Sequence, residues 1–170
     1  MHFQTETIEG FVGNTPLVRL QRLPGDTDNR ILVKLEGNNP AGSVKDRPAM
    51  SMILRAVERG EIAPGDTLIE ATSGNTGIAL AFITAAKGYR LILTMPDSMS
   101  LERRKVLKAL GAELVLTQAA GGMKCAVAKA DDIAASEANV FLPRQFDNPA
   151  NPQVHRVTTA EEIWRDSDGR

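Results

Sequence analysis

Cys125 is the only cysteine in the 170-residue sequence, which excludes an internal disulfide framework and a cysteine-rich zinc site. His2 and His155 are the only histidines, too few for a histidine-based metal centre, so no metal is expected. Neither sign of charge is in excess. Lys plus Arg is 20 and Asp plus Glu is 21, a net charge of -1. Such a chain has no long-range field to draw in DNA, RNA or anionic lipid, and neither a nucleic-acid nor a membrane partner is expected. No apolar run approaches the length of a membrane span, and the opening MHFQTETIEG lacks the apolar core of a secretory signal. The expected location is the cytoplasm. Repeats and low-complexity tracts are also missing, although residues 119–138 are rich in alanine.

What is present is a near-average soluble composition, 42% apolar and 24% charged. At this length it supports one core and a fraction of a second domain. Turn residues punctuate a regular alternation. Strands are expected over residues 16–20, 31–36, 67–71, 90–95, 113–117 and 140–142. Helices are expected over 43–59, 78–87, 100–110, 122–138 and 154–165. Ser43 and Ser100 are placed as N-caps, and Gly60, Gly88 and Gly111 as helix stops. Met50, Ile53, Leu54 and Val57 fall at i, i+3, i+4 and i+7 and predict one buried stripe. The helix over 78–87 is apolar almost all round and should be buried on more than one face. Strands alternating with helices imply an α/β fold, a three-layer αβα sandwich with a mostly parallel sheet. Such sheets take ligands at the carboxyl ends of their strands.

Two loops there carry chemistry. The first, Ser43-Val44-Lys45-Asp46-Arg47, follows the breaker-rich stretch Gly37-Asn38-Asn39-Pro40-Ala41-Gly42. It puts Lys45 in the first turn of a helix, where the helix dipole disfavours a cation and so favours a nucleophilic amine. A solvated lysine is the simpler account of this feature alone, and the loop before it shifts the balance toward function. The second is Thr72-Ser73-Gly74-Asn75-Thr76-Gly77, a strand-to-helix turn dense in short polar groups. Backbone N–H groups at a helix start form an anion nest, and hydroxyls add uncharged donors. Without lysine or arginine it is no Walker loop and suits a small carboxylate better than a triphosphate. Other residues read as structural. Met50, Met52, Met95 and Met99 should pack. Cys125 should be a small buried residue, and Trp164, Ile163 and Val157 core or interface. Residues 102–105 should form a solvated face, and His155 should cap or pack.

The stretch from Asn38 to Arg47 resembles the lysine motif of the fold-type II enzymes that use pyridoxal 5′-phosphate, and Thr72 to Gly77 resembles their substrate-carboxylate loop. Gly13-Asn14-Thr15-Pro16-Leu17-Val18 and Gln145-Phe146 match as well. Within the family the likeness is strongest to the O-acetylserine sulfhydrylases, over residues 34–40 and 70–80, and it spans about residues 7–164. The resemblance implies that Lys45 holds the cofactor as a Schiff base and then takes the substrate α-proton. It implies that Asn75 contacts the cofactor ring hydroxyl, and that Thr72, Ser73, Gly74, Asn75, Thr76 and Gln145 grip the substrate carboxylate. The implied reaction is β-replacement in cysteine biosynthesis. O-acetylserine loses acetate and takes up sulfide, or thiosulfate in the B-type branch, to give cysteine or S-sulfocysteine. A homodimer is implied for the full-length protein.

The family's glycine- and threonine-rich phosphate loop and its C-terminal serine have no counterpart in these residues. The expectation is therefore an N-terminal part of such an enzyme, with Asp168-Gly169-Arg170 a cut edge and the activity of the chain alone doubtful. Residues 1–42 should be strands that pack on a larger domain, 43–145 the N-terminal αβα domain, and 146–170 the start of that larger domain. Apolar surface should then show at Leu17, Leu20, Leu35 and Trp164. Two other readings compete. One is a non-catalytic domain that binds a carboxylate or a peptide C-terminus, which leaves Lys45 without a purpose. The other is a different fold-type II β-synthase or dehydratase.

Overall fold

The computed structural model describes residues 7–72 and 74–169. β1 (Leu17–Arg19) and β2 (Leu32–Lys34) form a separate antiparallel ribbon. Then come α1 (Asp46–Glu58), β3 (Thr67–Ala71), α2 (Asn75–Lys87), β4 (Arg90–Pro96), α3 (Leu101–Ala109), β5 (Glu113–Thr117), α4 (Gly122–Ser136) and β6 (Val140–Phe141). A last helical stretch comprises α5 (Ala150–Val154), a π-helical turn at His155–Thr159, and α6 (Ala160–Asp166). The main sheet has the order β5-β4-β3-β6 and every pair is parallel. The chain steps outward from β3 to β5, then crosses back to lay β6 on the far side of β3. That reversal is a topological switch point, so the crevice beyond the carboxyl ends of β3 and β6 is the natural ligand site.

Strand alternation divides the core between the two faces. Leu68, Leu91, Leu93 and Met95 join Ala49, Ile53, Leu80, Ile83 and Leu107 from α1, α2 and α3. Ile69 and Ile92 meet Ala130 of α4 on the opposite face. There the buried Thr94 hydroxyl donates to the Ala126 carbonyl at 2.7 Å. α2 is buried through Ala79, Leu80, Ala81 and Ile83, as its all-round apolar sequence requires. It ends at Gly88, whose φ of 75° lies in the left-handed region that glycine enters without strain. Ser100 caps α3 by accepting from the Arg103 N–H.

Several expectations are corrected. α1 begins at Asp46, with Lys45 at its N-cap rather than in its first turn. Ser43 opens the preceding turn instead, its Oγ accepting from the Lys45 N–H at 3.2 Å. The buried face of α1 is Ala49, Met52, Ile53 and Ala56, while Leu54 and Val57 are exposed. Small residues let α1 pack closely, and Leu54 turns toward a groove that it shares with Val154 and Val157. Cys125 is exposed because α4 turns Ala126 and Ala130 inward. Trp164 is 67% exposed, as its expected apolar surface requires, while Val157 and Ile163 are exposed rather than part of the core. The inward residue of α6 is Glu162, which reaches a buried arginine. Leu17, Leu20 and Leu35 are half-buried, and the exposed apolar groups of the ribbon are Leu23, Ile31 and Leu32.

That arginine is Arg47, buried to 1% exposure in the second position of α1. It bonds Glu36 through Nε at 2.8 Å and Nη2 at 2.9 Å, and Glu162 through Nη1 at 2.6 Å and Nη2 at 2.7 Å. Thr15 and Thr158 hydroxyls accept from it as well. Lys34 adds a second cation to Glu162 at 2.7 Å. Two paired forks are the geometry in which a buried guanidinium is best satisfied. The cluster ties both chain ends of the described fold to the start of α1, two residues from Lys45. Among the described residues no helix is long and apolar enough to cross a membrane.

Candidate functional site

A cleft of about 590 Å³ opens at the switch point. β3 leads into it through Thr72, which is buried and takes a backbone bond to the Thr94 carbonyl at 3.1 Å. Gly74 is the N-cap of α2 and has no side chain with which to cap. The N–H groups of Asn75 and Thr76 are therefore left without a partner among the described residues, the condition for holding an anion. Gly77 has to be glycine. A Cβ there would stand 2.8 Å from Thr72 Cγ2 and 3.3 Å from Leu93 Cδ1, so α2 could not sit this close to the sheet.

The other wall comes from the loop after β6. The Thr76 hydroxyl donates to Gln145 Oε1 at 2.6 Å, joining the ends of both strands across the crevice. Gln145 is itself buried, and Asn151 Nδ2 donates to its carbonyl at 2.7 Å. Lys45 lines the cleft from the α1 side. Its loop is held by Asp46, whose Oδ2 accepts from the Ala41 N–H at 2.6 Å, and whose burial pushes its carboxyl above the usual range. Met123, Val127 and Ala130 of α4 supply an apolar side, with Asp131 and Arg144 paired at 3.1 Å.

Of the residues singled out from sequence, Lys45, Thr72, Gly74, Asn75, Thr76 and Gln145 therefore line one cleft. Ser73 lies outside the described residues. Sequence reasoning missed Glu70, which lines the same cleft although 5% exposed. Burial pushes its carboxyl above the ordinary range, against the backbone bonds from Gln145 and Arg144. A lone acid in the run Thr-Leu-Ile-Glu-Ala was the available signal. The α4 wall was missed as well, since alanine-rich helices carry no sign of which face meets a ligand. His155, half-buried, has its Nδ1 against the Thr159 hydroxyl at 2.9 Å and does not reach the cleft.

An open parallel sheet with a lysine and the uncapped start of a helix at one crevice is the architecture of an α/β lobe with a cleft of small-molecule size. The chain belongs to the family "Pyridoxal-phosphate dependent enzyme", whose profile matches residues 8–170. It is 58% identical over 169 residues to the cysteine synthase B of Pseudomonas aeruginosa, covering 99% of this chain and 56% of that protein. It is 57% identical over 169 residues to that of Pseudomonas syringae pv. syringae, covering 99% of each. The crystal structure of a cysteine synthase from Entamoeba histolytica superposes with a TM-score of 0.92 at 43% identity, over 97% of this chain and 50% of that one. The chain thus spans about half the length of the Pseudomonas aeruginosa relative and of the solved neighbour.

The cleft suits the cofactor of this family at one end. Lys45 could take an aldehyde, the Asn75 amide could meet a ring oxygen, and the apolar α4 side chains could flank a flat ring. No glycine-rich phosphate cradle lines it among the described residues.

Proposed function

We propose that this chain is the lysine-bearing lobe of a cysteine synthase. The activity is replacement of the acetoxy group of O-acetylserine by sulfide or thiosulfate, giving cysteine or S-sulfocysteine and acetate. The observation that carries the reading is that Lys45 and the uncapped N-terminus of α2 line the same switch-point cleft. Bound pyridoxal phosphate would supply the electron sink for loss of the α-proton and the β-substituent. Lys45 would hold the cofactor covalently and afterwards move the α-proton. Asn75 would orient the ring hydroxyl. Thr72, Ser73, Gly74, Asn75 and Thr76, with Gln145, would bind the substrate carboxylate and so fix the amino acid before the proton leaves.

Residues 1–42 and 146–170 would pack on a second, larger domain, 43–145 being the αβα lobe. Exposed Trp164, Phe146, Leu23 and Ile31 support this. A homodimer in the cytoplasm is the assembly and location we assign. The test is a difference spectrum on adding pyridoxal phosphate to the chain and to Lys45→Ala. The reading expects a long-wavelength band in the first, absent from the second and moved by O-acetylserine. Equal spectra from the two would refute it. Binding of a carboxylate-ended peptide untouched by Lys45→Ala, with no cofactor uptake, would mark a non-catalytic module instead.

A further inference from the structure

Gln145 stands where the sheet ends. β3 and β6 are in register only at Thr67 with Val140 and Leu68 with Phe141. Past that point the backbone ladder stops, yet the loop after β6 must stay beside β3 if Gln145 is to meet Thr76. Glu70 makes the connection. Its Oε2 accepts from the Arg144 N–H at 2.8 Å and its Oε1 from the Gln145 N–H at 3.3 Å. A buried carboxylate is costly unless its oxygens are satisfied, and here both are used on two successive backbone donors. Arg144 adopts a φ of 49°, a conformation that a non-glycine residue keeps only when its surroundings impose it. The Arg144 carbonyl takes bonds from Asp147 and Asn148, which close the turn.

The consequence reaches the ligand side. Gln145 Oε1 is occupied by the Thr76 hydroxyl, and its Nε2 donors have no partner among the described residues. We propose that Glu70 is a positioning residue: its carboxylate replaces the missing strand ladder, fixes the Arg144–Gln145 backbone, and thereby holds the Gln145 amide ready as a donor to a substrate carboxylate. This rests on reading the α2 N-terminus as a carboxylate site.

The experiment is nuclear magnetic resonance on the 170-residue chain, with sodium acetate as the probe, on wild type, Glu70→Gln, Gln145→Ala and the double variant. In wild type, acetate should shift Asn75, Thr76 and the Gln145 side-chain amide. Glu70→Gln offers one acceptor where two are needed. It should speed exchange of the Gln145 backbone amide on the order of tenfold and lower acetate affinity by about tenfold, the scale of one charge-assisted bond. Gln145→Ala should lose a similar factor, and the double variant no more than either single. Additive losses, or unchanged exchange in Glu70→Gln, would overturn the proposal. Thr76→Val tests it without touching the buried acid. It should move the Gln145 side-chain signals yet leave the Gln145 backbone amide slow to exchange, and loss of that protection would make Thr76 the anchor and refute the assignment to Glu70. If acetate shifts nothing in wild type, the carboxylate reading fails, while the exchange rates still decide what holds Gln145.

Discussion

Replacing Arg47 by alanine tests how the described fold is held around the lysine loop. The guanidinium is 1% exposed and sits between two carboxylates, with N···O distances of 2.6 to 2.9 Å. Removing it leaves Glu36 and Glu162 facing each other, with Lys34 the cation remaining in the cluster. Breaking a buried pair in this way costs about 3–5 kcal/mol, against roughly 5–15 kcal/mol for a whole domain. At about 2–4 °C per kcal/mol for a domain of this size, Tm should fall by roughly 6–20 °C. Urea unfolding followed by far-UV circular dichroism reads the loss directly. The double variant Arg47→Ala/Glu162→Ala should recover part of it, because the stranded charge is then gone. A loss below about 1 kcal/mol, the value of a solvated surface pair, would refute the claim that this cluster clamps the chain ends to α1.

Other perturbations follow from the same geometry. Gly77→Ala gains about 1 kcal/mol of helix propensity but puts a Cβ 2.8 Å from Thr72 Cγ2. Overpacking of about 1–3 kcal/mol should prevail, and the measured Tm should drop; a rise would show that α2 can back away from the sheet. Acid should destabilise the fold. Arg47 holds the Glu162 carboxyl far below the usual range, with Lys34 and the Asn14 N–H assisting. At Glu36 burial opposes the shift, but bonds from Arg47, Thr15 and Asn39 prevail and lower it. Groups lowered on folding stabilise above their ordinary value near 4.5 and lose that contribution as pH falls below it. Glu70 acts in the opposite sense, since its raised carboxyl costs stability as pH climbs above 4.5. Unfolding midpoints from pH 7 to 3 should therefore fall in wild type and fall less in Arg47→Ala. Thr94→Val removes the buried bond to the Ala126 carbonyl, which keeps its helical bond within α4, and should cost about 0.5–1.5 kcal/mol in the same urea assay.

The repeating elements were legible because periodicity and breakers agree. Residues 67–71 and 113–117 are strands as expected, and Gly88 and Ser100 end and begin helices where placed. Lys45 and the loop around Gly74 stood out in the sequence because each pairs an unusual residue with a turn, and the structure brings Lys45, Thr72, Gly74, Asn75 and Thr76 to one cleft. Three things were hidden for a common reason, that they depend on partners distant in sequence. The inward face of α1 is chosen by its helical neighbours, not by its own apolar spacing, so Leu54 and Val57 turn outward. Glu162 is the inward residue of α6 because of a partner, Arg47, that lies 115 residues away. Glu70 gains its purpose from a loop 74 residues on. The crossover that lays β6 beside β3 creates the cleft, and no local pattern in residues 140–145 announces it.

The central claim is that Lys45 faces the carboxylate nest as the amine that takes the cofactor. The direct measurement is to incubate the chain with pyridoxal phosphate, fix the adduct with borohydride, and locate the label by peptide mass spectrometry over time. The account predicts that Lys45 is labelled first and that Asn75→Ala slows it, while Lys108 and Lys129, both exposed, react at the slow rate of surface amines. Labelling of Lys45 no faster than those two lysines would contradict the account.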